Sequence, residues 1–278
     1  MKYHRTEQNS ISIFLVISII LYFSFMFCDI FYNTPLLSNC IKFIGILFCF
    51  LMLLLLKMFH PTDKDYLILL LAFAFTVTAD AFLLFTNHFF YGVLSFIVVQ
   101  LLYLYRIHTM DATVKVSHLL VRILVTGIAI GVMVLSRVPV DSLLVVVTFY
   151  FLNFIGNLIL LGRLVIKVRQ QRMVGDAGNA ENVERLVKSE KSTKVQNIRN
   201  SVSVENSANS ESRVQLVQFL IGMILFFLCD LCVGFYNMSY YIDFQSPIEM
   251  ILEKISVLGM WGFYYPGQIL IALSTKRD

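Results

Sequence analysis

Charged residues are scarce in this sequence. Asp, Glu, Lys and Arg make up 14% of its 278 residues, against about 25% in an ordinary soluble domain. Glycine and proline are also few, at 13 and 5, which excludes a collagenous or low-complexity disordered chain. The five cysteines (Cys28, Cys40, Cys49, Cys229, Cys232) all fall within apolar stretches, where they read as small buried hydrophobes, not as a disulfide framework. Cys229 and Cys232 make a C-x-x-C without the second ligand pair a zinc site needs. The five histidines (His4, His60, His88, His108, His118) lie at or near the ends of apolar runs, so no metal and no cofactor is expected. No Gly-rich phosphate loop and no Gly-x-Ser-x-Gly elbow occurs, and no Ser/His/Asp or Cys/His set can be assembled inside the apolar runs. An acyl-enzyme hydrolase is therefore not expected.

What is present is apolar. Such residues make up 58% of the chain and the mean hydropathy is +0.76, enough for about eight membrane spans of roughly 20 residues each. Apolar runs of that length cover residues 11–31, 37–57, 66–86, 89–107, 117–136, 140–162, 214–236 and 254–274. The first has too long an apolar region for a cleaved signal peptide and no A-x-A site after it.

The positive-inside rule tests the count. With eight spans, the segments on the N-terminal side hold nineteen Lys and Arg, including Lys57, Arg106 and Arg122, whereas the opposite side holds only Arg137 and Lys254. The expected fold is therefore an all-α integral membrane bundle of eight helices, a single polytopic domain over 1–278 with both termini cytoplasmic, most simply in the plasma membrane. Ten basic and six acidic residues lie between Arg163 and Arg213, so the whole net charge of +4 sits there. That basic excess marks orientation and gives no reason to expect nucleic acid as a partner. The segment opens as RLVIKVRQQR and turns Ser/Asn/Glu/Lys-rich, reading as a flexible cytoplasmic insertion over 163–213.

An ionisable residue inside an apolar span costs about 2.5–3.5 kcal/mol on insertion scales and is by default a functional candidate. Asp80 in the third run and Asp230 in the seventh both lie past the midpoint toward the outer side, and Lys42 enters the second run at the same depth. A purely structural alternative is an Asp–Lys42 ion pair. Asp29, at the outer end of the first run, reads as an interfacial anchor. Other polar residues fall at helical spacing: Tyr150, Asn153 and Asn157; Gln100 and Tyr103; Tyr264, Tyr265 and Gln268. They are expected to turn inward, to line a polar cavity or to bond neighbouring helices. Two carboxylates in a cavity of low dielectric repel, so that one holds a proton while the other is charged. That arrangement suits acid/base hydrolysis without a metal.

At these residues the chain resembles the YhhN-type membrane proteins, the lysoplasmalogenase family. The resemblance runs through Lys42, TADAFLLF around Asp80, FYGVLSFIVVQLLYLYRI in the fourth run, Tyr150, FFLCDLCVGF around Asp230 and the closing FYYPGQILIALS. It implies hydrolysis of the vinyl ether bond of a lysoplasmalogen, with Asp80 and Asp230 as acid and base and a lysophospholipid of the bilayer as substrate. It further implies that Lys42 holds the phosphate. Gln100, Tyr103, Tyr150, Asn153, Asn157, Tyr264, Tyr265 and Gln268 would position the substrate. Gln100 stands where the family carries a His, and the insertion is longer than the family's usual connection. A lipid-binding or sensory protein of the same fold is the alternative.

Overall fold

The computed structural model describes the backbone of residues 2–32, 34–60, 62–111, 117–137, 139–187, 192–238 and 247–275. Of these, 2–5, 32, 172–187, 192–212, 238, 247–250 and 253 enter through backbone alone. The described residues form eight α-helices and no strand: α1 (Lys2–Phe27), α2 (Pro35–Phe59), α3 (Lys64–Phe85), α4 (Phe89–Met110), α5 (Ser117–Leu135), α6 (Ser142–Val187), α7 (Ser192–Met238) and α8 (Pro247–Ala272). Each contains most of one of the eight apolar runs. A turn of π-helix, Cys28–Tyr32, continues α1.

The ends of the runs carry their own stop signals. Pro35 opens α2, where its missing N–H is no loss. The Asp63 side chain accepts from the backbone N–H of Asp65 at the start of α3, and Asp141 does the same for Leu144 at the start of α6. Thr86 closes α3, and its hydroxyl oxygen accepts from the His88 N–H just before α4.

Seven helices among the described residues are long and apolar enough to cross a membrane, those of α1 to α5 together with Ser142–Gln171 of α6 and Arg213–Asn237 of α7. The protein is thus an integral, multi-pass membrane protein. Helix α8 is as long, and holds Tyr264, Tyr265 and Gln268 among its apolar residues. At 46 and 47 residues, α6 and α7 are each about 70 Å long at 1.5 Å per residue, more than twice the hydrocarbon thickness. Their extensions run through the 163–213 insertion, whose side chains from 172 to 212 lie outside the described residues.

Helices α2, α3, α4, α6, α7 and α8 pack in a closed ring, each on the next, with α8 returning to α2. Helix α1 lies outside the ring on α2 and α8, and α5 lies outside it on α6. The interior is apolar as in a soluble protein, but so is the exterior, and several polar residues are buried. Ile, Leu, Val and Phe are exposed on every outer face, whereas Lys42, Asp80, Gln100, Arg106, Arg122 and Gln268 are buried. So extensive an apolar exterior is unfavourable in water and natural in lipid.

Small residues set the closest approaches. A Cβ on Gly222 of α7 would lie 2.8 Å from the Gly267 carbonyl oxygen of α8, and one on Gly267 would lie 3.0 Å from the Gly222 carbonyl oxygen. The two backbones thus touch where neither has a side chain. At one end of the bundle Arg106 is wholly buried. Its Nε and one Nη donate to the two carboxylate oxygens of Asp65 at 2.6 and 2.8 Å, and its guanidinium also donates to the hydroxyl and carbonyl oxygens of Ser274. It lies 4.3 Å from the Phe219 ring centroid. Counted from the sequence as a charge of the inner segments, Arg106 in fact ties α3, α4 and the end of α8 together from inside the bundle.

Removing one partner of a buried pair leaves the other charge unsatisfied. Arg106→Ala is expected to destabilise the folded protein by about 3–5 kcal/mol, read as a lower Tm in detergent. The double variant Arg106→Met/Asp65→Leu should recover much of that loss.

Candidate functional site

Beyond its first turn, which carries Lys64 and Asp65, α3 holds one charged residue, Asp80. The nearby Thr76 and Thr78 hydroxyls donate to carbonyls of their own helix, those of Ala72 and Ala74, so Asp80 is the group on this helix that must look outward for a partner. Its neighbour α4 approaches closely at Gly92, where a Cβ would meet the Leu83 side chain at 2.8 Å and the Ala79 carbonyl oxygen at 3.3 Å. Helix α8 supplies the partner: the Tyr264 hydroxyl donates to Asp80 Oδ2 at 2.8 Å.

Asp230 of α7 is held in the same way. The Tyr150 hydroxyl of α6 donates to its Oδ2 at 2.6 Å. The two Asp–Tyr pairs flank one aromatic centre, with the Phe96 ring centroid 6.0 Å from Tyr150 and 6.4 Å from Tyr264. Phe226 packs on both Phe96 and Tyr264, at 5.5 and 5.3 Å. Cys229 is within electrostatic range of both carboxylates, and Tyr103 is within range of both tyrosines. The Tyr103 hydroxyl is buried without a hydrogen-bond partner among the described residues. Asp80 is buried and Asp230 half-buried. Among the described residues each carboxylate receives one hydrogen bond, on Oδ2, so Oδ1 of each is left for another donor. Such a pair can accept and deliver a proton in surroundings that are otherwise apolar.

Lys42 belongs to the same neighbourhood, but its ion-pair partner is Asp29 and not Asp80 or Asp230. Lys42 Nζ lies 2.8 Å from Asp29 Oδ2, and the Ser38 hydroxyl donates to Asp29 Oδ1. Asp29, read from the sequence as an interfacial anchor, is carried on the π turn after α1. The wider coil there changes the direction of the side chain toward α2. The ammonium also lies 5.2 Å from the Trp261 ring centroid and 5.9 Å from that of Phe25. Trp261 packs edge-on against Tyr264 at 5.0 Å, so the Lys42–Asp29 pair and the Asp80–Tyr264 pair share one wall. Beside them Tyr265 fills the space over Gly45, where a Cβ would lie 2.7 Å from the ring. Gln268 is fully buried, its amide without a partner among the described residues.

The remaining candidates gather elsewhere. Asn153 and Asn157, one and two turns along α6 from Tyr150, meet the Arg122 guanidinium. Arg122 Nη1 donates to Asn157 Oδ1 at 2.8 Å and Asn153 Oδ1 at 3.2 Å. The Asn157 amide in turn donates to Gln100, to its side-chain oxygen at 2.9 Å and its carbonyl at 2.8 Å. Arg122, counted from the sequence as a charge of the inner segments, is 7% exposed. Two signals bore on it: its place inside an apolar run, and the glycine at Gly156 that leaves room for the guanidinium. Among the described residues no group of three or more His, Cys, Asp or Glu is placed to hold a metal ion.

The profile of the YhhN family covers residues 37–163, from the start of α2 into α6. That stretch includes Lys42, Asp80, Gln100, Tyr103, Tyr150, Asn153 and Asn157, and ends before Asp230 and the α8 residues. No curated protein and no solved structure matches the chain.

If the Lys42–Asp29 pair acts as a unit, the single changes Lys42→Met and Asp29→Asn each leave a poorly compensated charge near the apolar phase. Each should lower Tm by more than the double variant does. Thermal unfolding of the four proteins in detergent measures the coupling directly.

Proposed function

We propose that this chain, which matches the YhhN family over residues 37–163, is a YhhN-type protein that hydrolyses the vinyl ether bond of a single-chain glycerophospholipid, a lysoplasmalogen or close relative, by acid/base catalysis with Asp80 and Asp230. The observation that carries the reading is the matched pair of carboxylates in an apolar interior. Each is oriented by a tyrosine through one oxygen, and both tyrosines pack on Phe96.

The reaction fits that chemistry. The lipid is admitted sideways between helices. One carboxyl group protonates the β-carbon of the vinyl ether, leaving an oxocarbenium-like cation on the adjacent carbon. The other carboxylate draws a proton from a water as its oxygen adds to that carbon. The resulting hemiacetal collapses to a fatty aldehyde and the glycerol hydroxyl, with the proton count restored. Tyr150 and Tyr264 hold the carboxylates in place, and the aromatic walls keep other water away from the cation.

Eight spans with both termini cytoplasmic complete the reading. Counting α8 as the eighth keeps Lys57 and Arg163 on one side and Arg137 on the other, in accord with the positive-inside rule.

One observation favours a non-catalytic lipid-binding protein instead. Gln100, where the resemblance places a His, is a neutral amide bonded to Asn157, and it cannot relay a proton. Turnover separates the two readings. Asp80→Asn and Asp230→Asn are each expected to reduce aldehyde release by at least about 100-fold at unchanged protein level. Tyr264→Phe and Tyr150→Phe, which lose one hydrogen bond to a charged group, are expected to cost about 10-fold or more. Aldehyde released from a lysoplasmalogen by purified protein in micelles is the measurement, and full activity in either Asn variant removes the acid/base pair.

A further inference from the structure

We propose that the Arg122 guanidinium, held by Asn153 and Asn157 beside Gln100, is the binding site for the phosphate of a single-chain lipid. The proposal deepens the hydrolase reading and rests on it for the end of the lipid that reacts, but not for the anion site itself.

An arginine buried in a membrane helix calls for a counter-charge. Arg106 and Lys42 have theirs in Asp65 and Asp29. Arg122 has none: among the described residues its partners are two neutral amide oxygens, which orient a guanidinium without neutralising it. Its Nη2 is buried with no hydrogen-bond partner, and so is Nε2 of Gln100. The amides are fixed by other bonds. Asn153 donates to the Phe149 carbonyl at 2.8 Å and Asn157 to Gln100, so both present oxygen to Arg122. Gly156 gives the guanidinium its place on α6, since a Cβ there would lie 2.6 Å from Nε. The result is an ordered cation with unused donors, the kind of group that binds phosphate.

Location selects a lipid. Helix α5, which carries Arg122, packs against α6, and its outer face exposes Leu120, Val121, Leu124 and Ile128 to the surroundings. The guanidinium therefore lies one helix away from the bilayer, behind an apolar wall that excludes free ions. Asn153 and Asn157 follow Tyr150 by about 5 and 10 Å along α6. That range includes the reach from the ether oxygen of a glycerophospholipid to its phosphate. Lys42, neutralised by Asp29, is the poorer candidate for the same task.

The test is equilibrium binding to the purified full chain in micelles. Its three probes are a lysophosphatidylethanolamine, a monoacylglycerol of the same chain and inorganic phosphate. The lysophospholipid should bind at least about 10-fold more tightly than the monoacylglycerol, and equal affinity overturns the proposal. Arg122→Gln should weaken the lysophospholipid by about 10- to 100-fold and leave the monoacylglycerol unchanged. Asn157→Asp places a carboxylate on the guanidinium at the loss of the two hydrogen bonds Asn157 donates to Gln100; with folding checked by Tm in detergent, it should weaken the lysophospholipid as strongly. An affinity kept within about threefold by Asn157→Asp means that Arg122 is structural, and overturns the proposal. Inorganic phosphate should compete only at about 100-fold higher concentration or more; equal potency removes the lipid and leaves a free-anion site. Asp80→Asn and Asp230→Asn should retain this binding. A wild-type protein that binds through Arg122 without turnover refutes the hydrolase and leaves the phosphate site standing.

Discussion

In hydrocarbon there is no water to solvate a polar side chain, so each one on a spanning helix must be satisfied by another helix or by a ligand. Much of this bundle follows from that requirement. Arg106 closes on Asp65 and Ser274, Lys42 on Asp29, Asp80 on Tyr264 and Asp230 on Tyr150. Each of these contacts joins two or three different helices, so the polar residues act as the registration points of the bundle. The apolar residues, free to face lipid or protein, fill the space between them.

The same requirement sets Asp80 and Asp230 apart from the other buried carboxylates. A carboxylate fully enclosed by donors would be a structural element, as Asp65 is with Arg106 on both oxygens. Asp80 and Asp230 instead have one oxygen engaged by a phenol, and no cation pairs with either among the described residues. Phe96 packs on both tyrosines and Phe226 on Tyr264, and neither offers a donor. Close helix approach at Gly92 and Gly45 lets α4 and Tyr265 press into this region. The positions that look least remarkable in the sequence, its glycines, thereby set the distances at the site.

Much of the fold was legible beforehand, since apolar runs broken by Pro35, Asp63, Thr86 and Asp141 mark helices by length alone. Asp80, Asp230 and Lys42 stood out because charge is costly inside such runs, and the structure brings all three around the Trp261–Tyr264–Phe96 aromatic wall. Helical spacing placed Tyr150, Asn153 and Asn157 on one stripe, but a stripe spanning two turns of helix can serve two partners. Tyr150 meets Asp230, while the asparagines meet Arg122. Arg106 and Arg122 were read as topology charges because they lie near the ends of their runs, where a long side chain can reach the interface. Their inward course depends on Asp65 and on Gly156, and neither advertises its partner in the sequence.

The sequence by itself determined the solvent, the helical class and the residues too costly to be idle, because transfer into lipid is a property of each side chain and of run length. Only the tertiary structure decided the pairings. Lys42 could have met any of three aspartates, and it met Asp29 because the π turn at the end of α1 carries that carboxylate to α2. Arg122 received amides where Arg106 received a carboxylate, because of the helix that happened to pack beside it. Partner choice is a matter of geometry between helices distant in the chain, and no local pattern of residues encodes it.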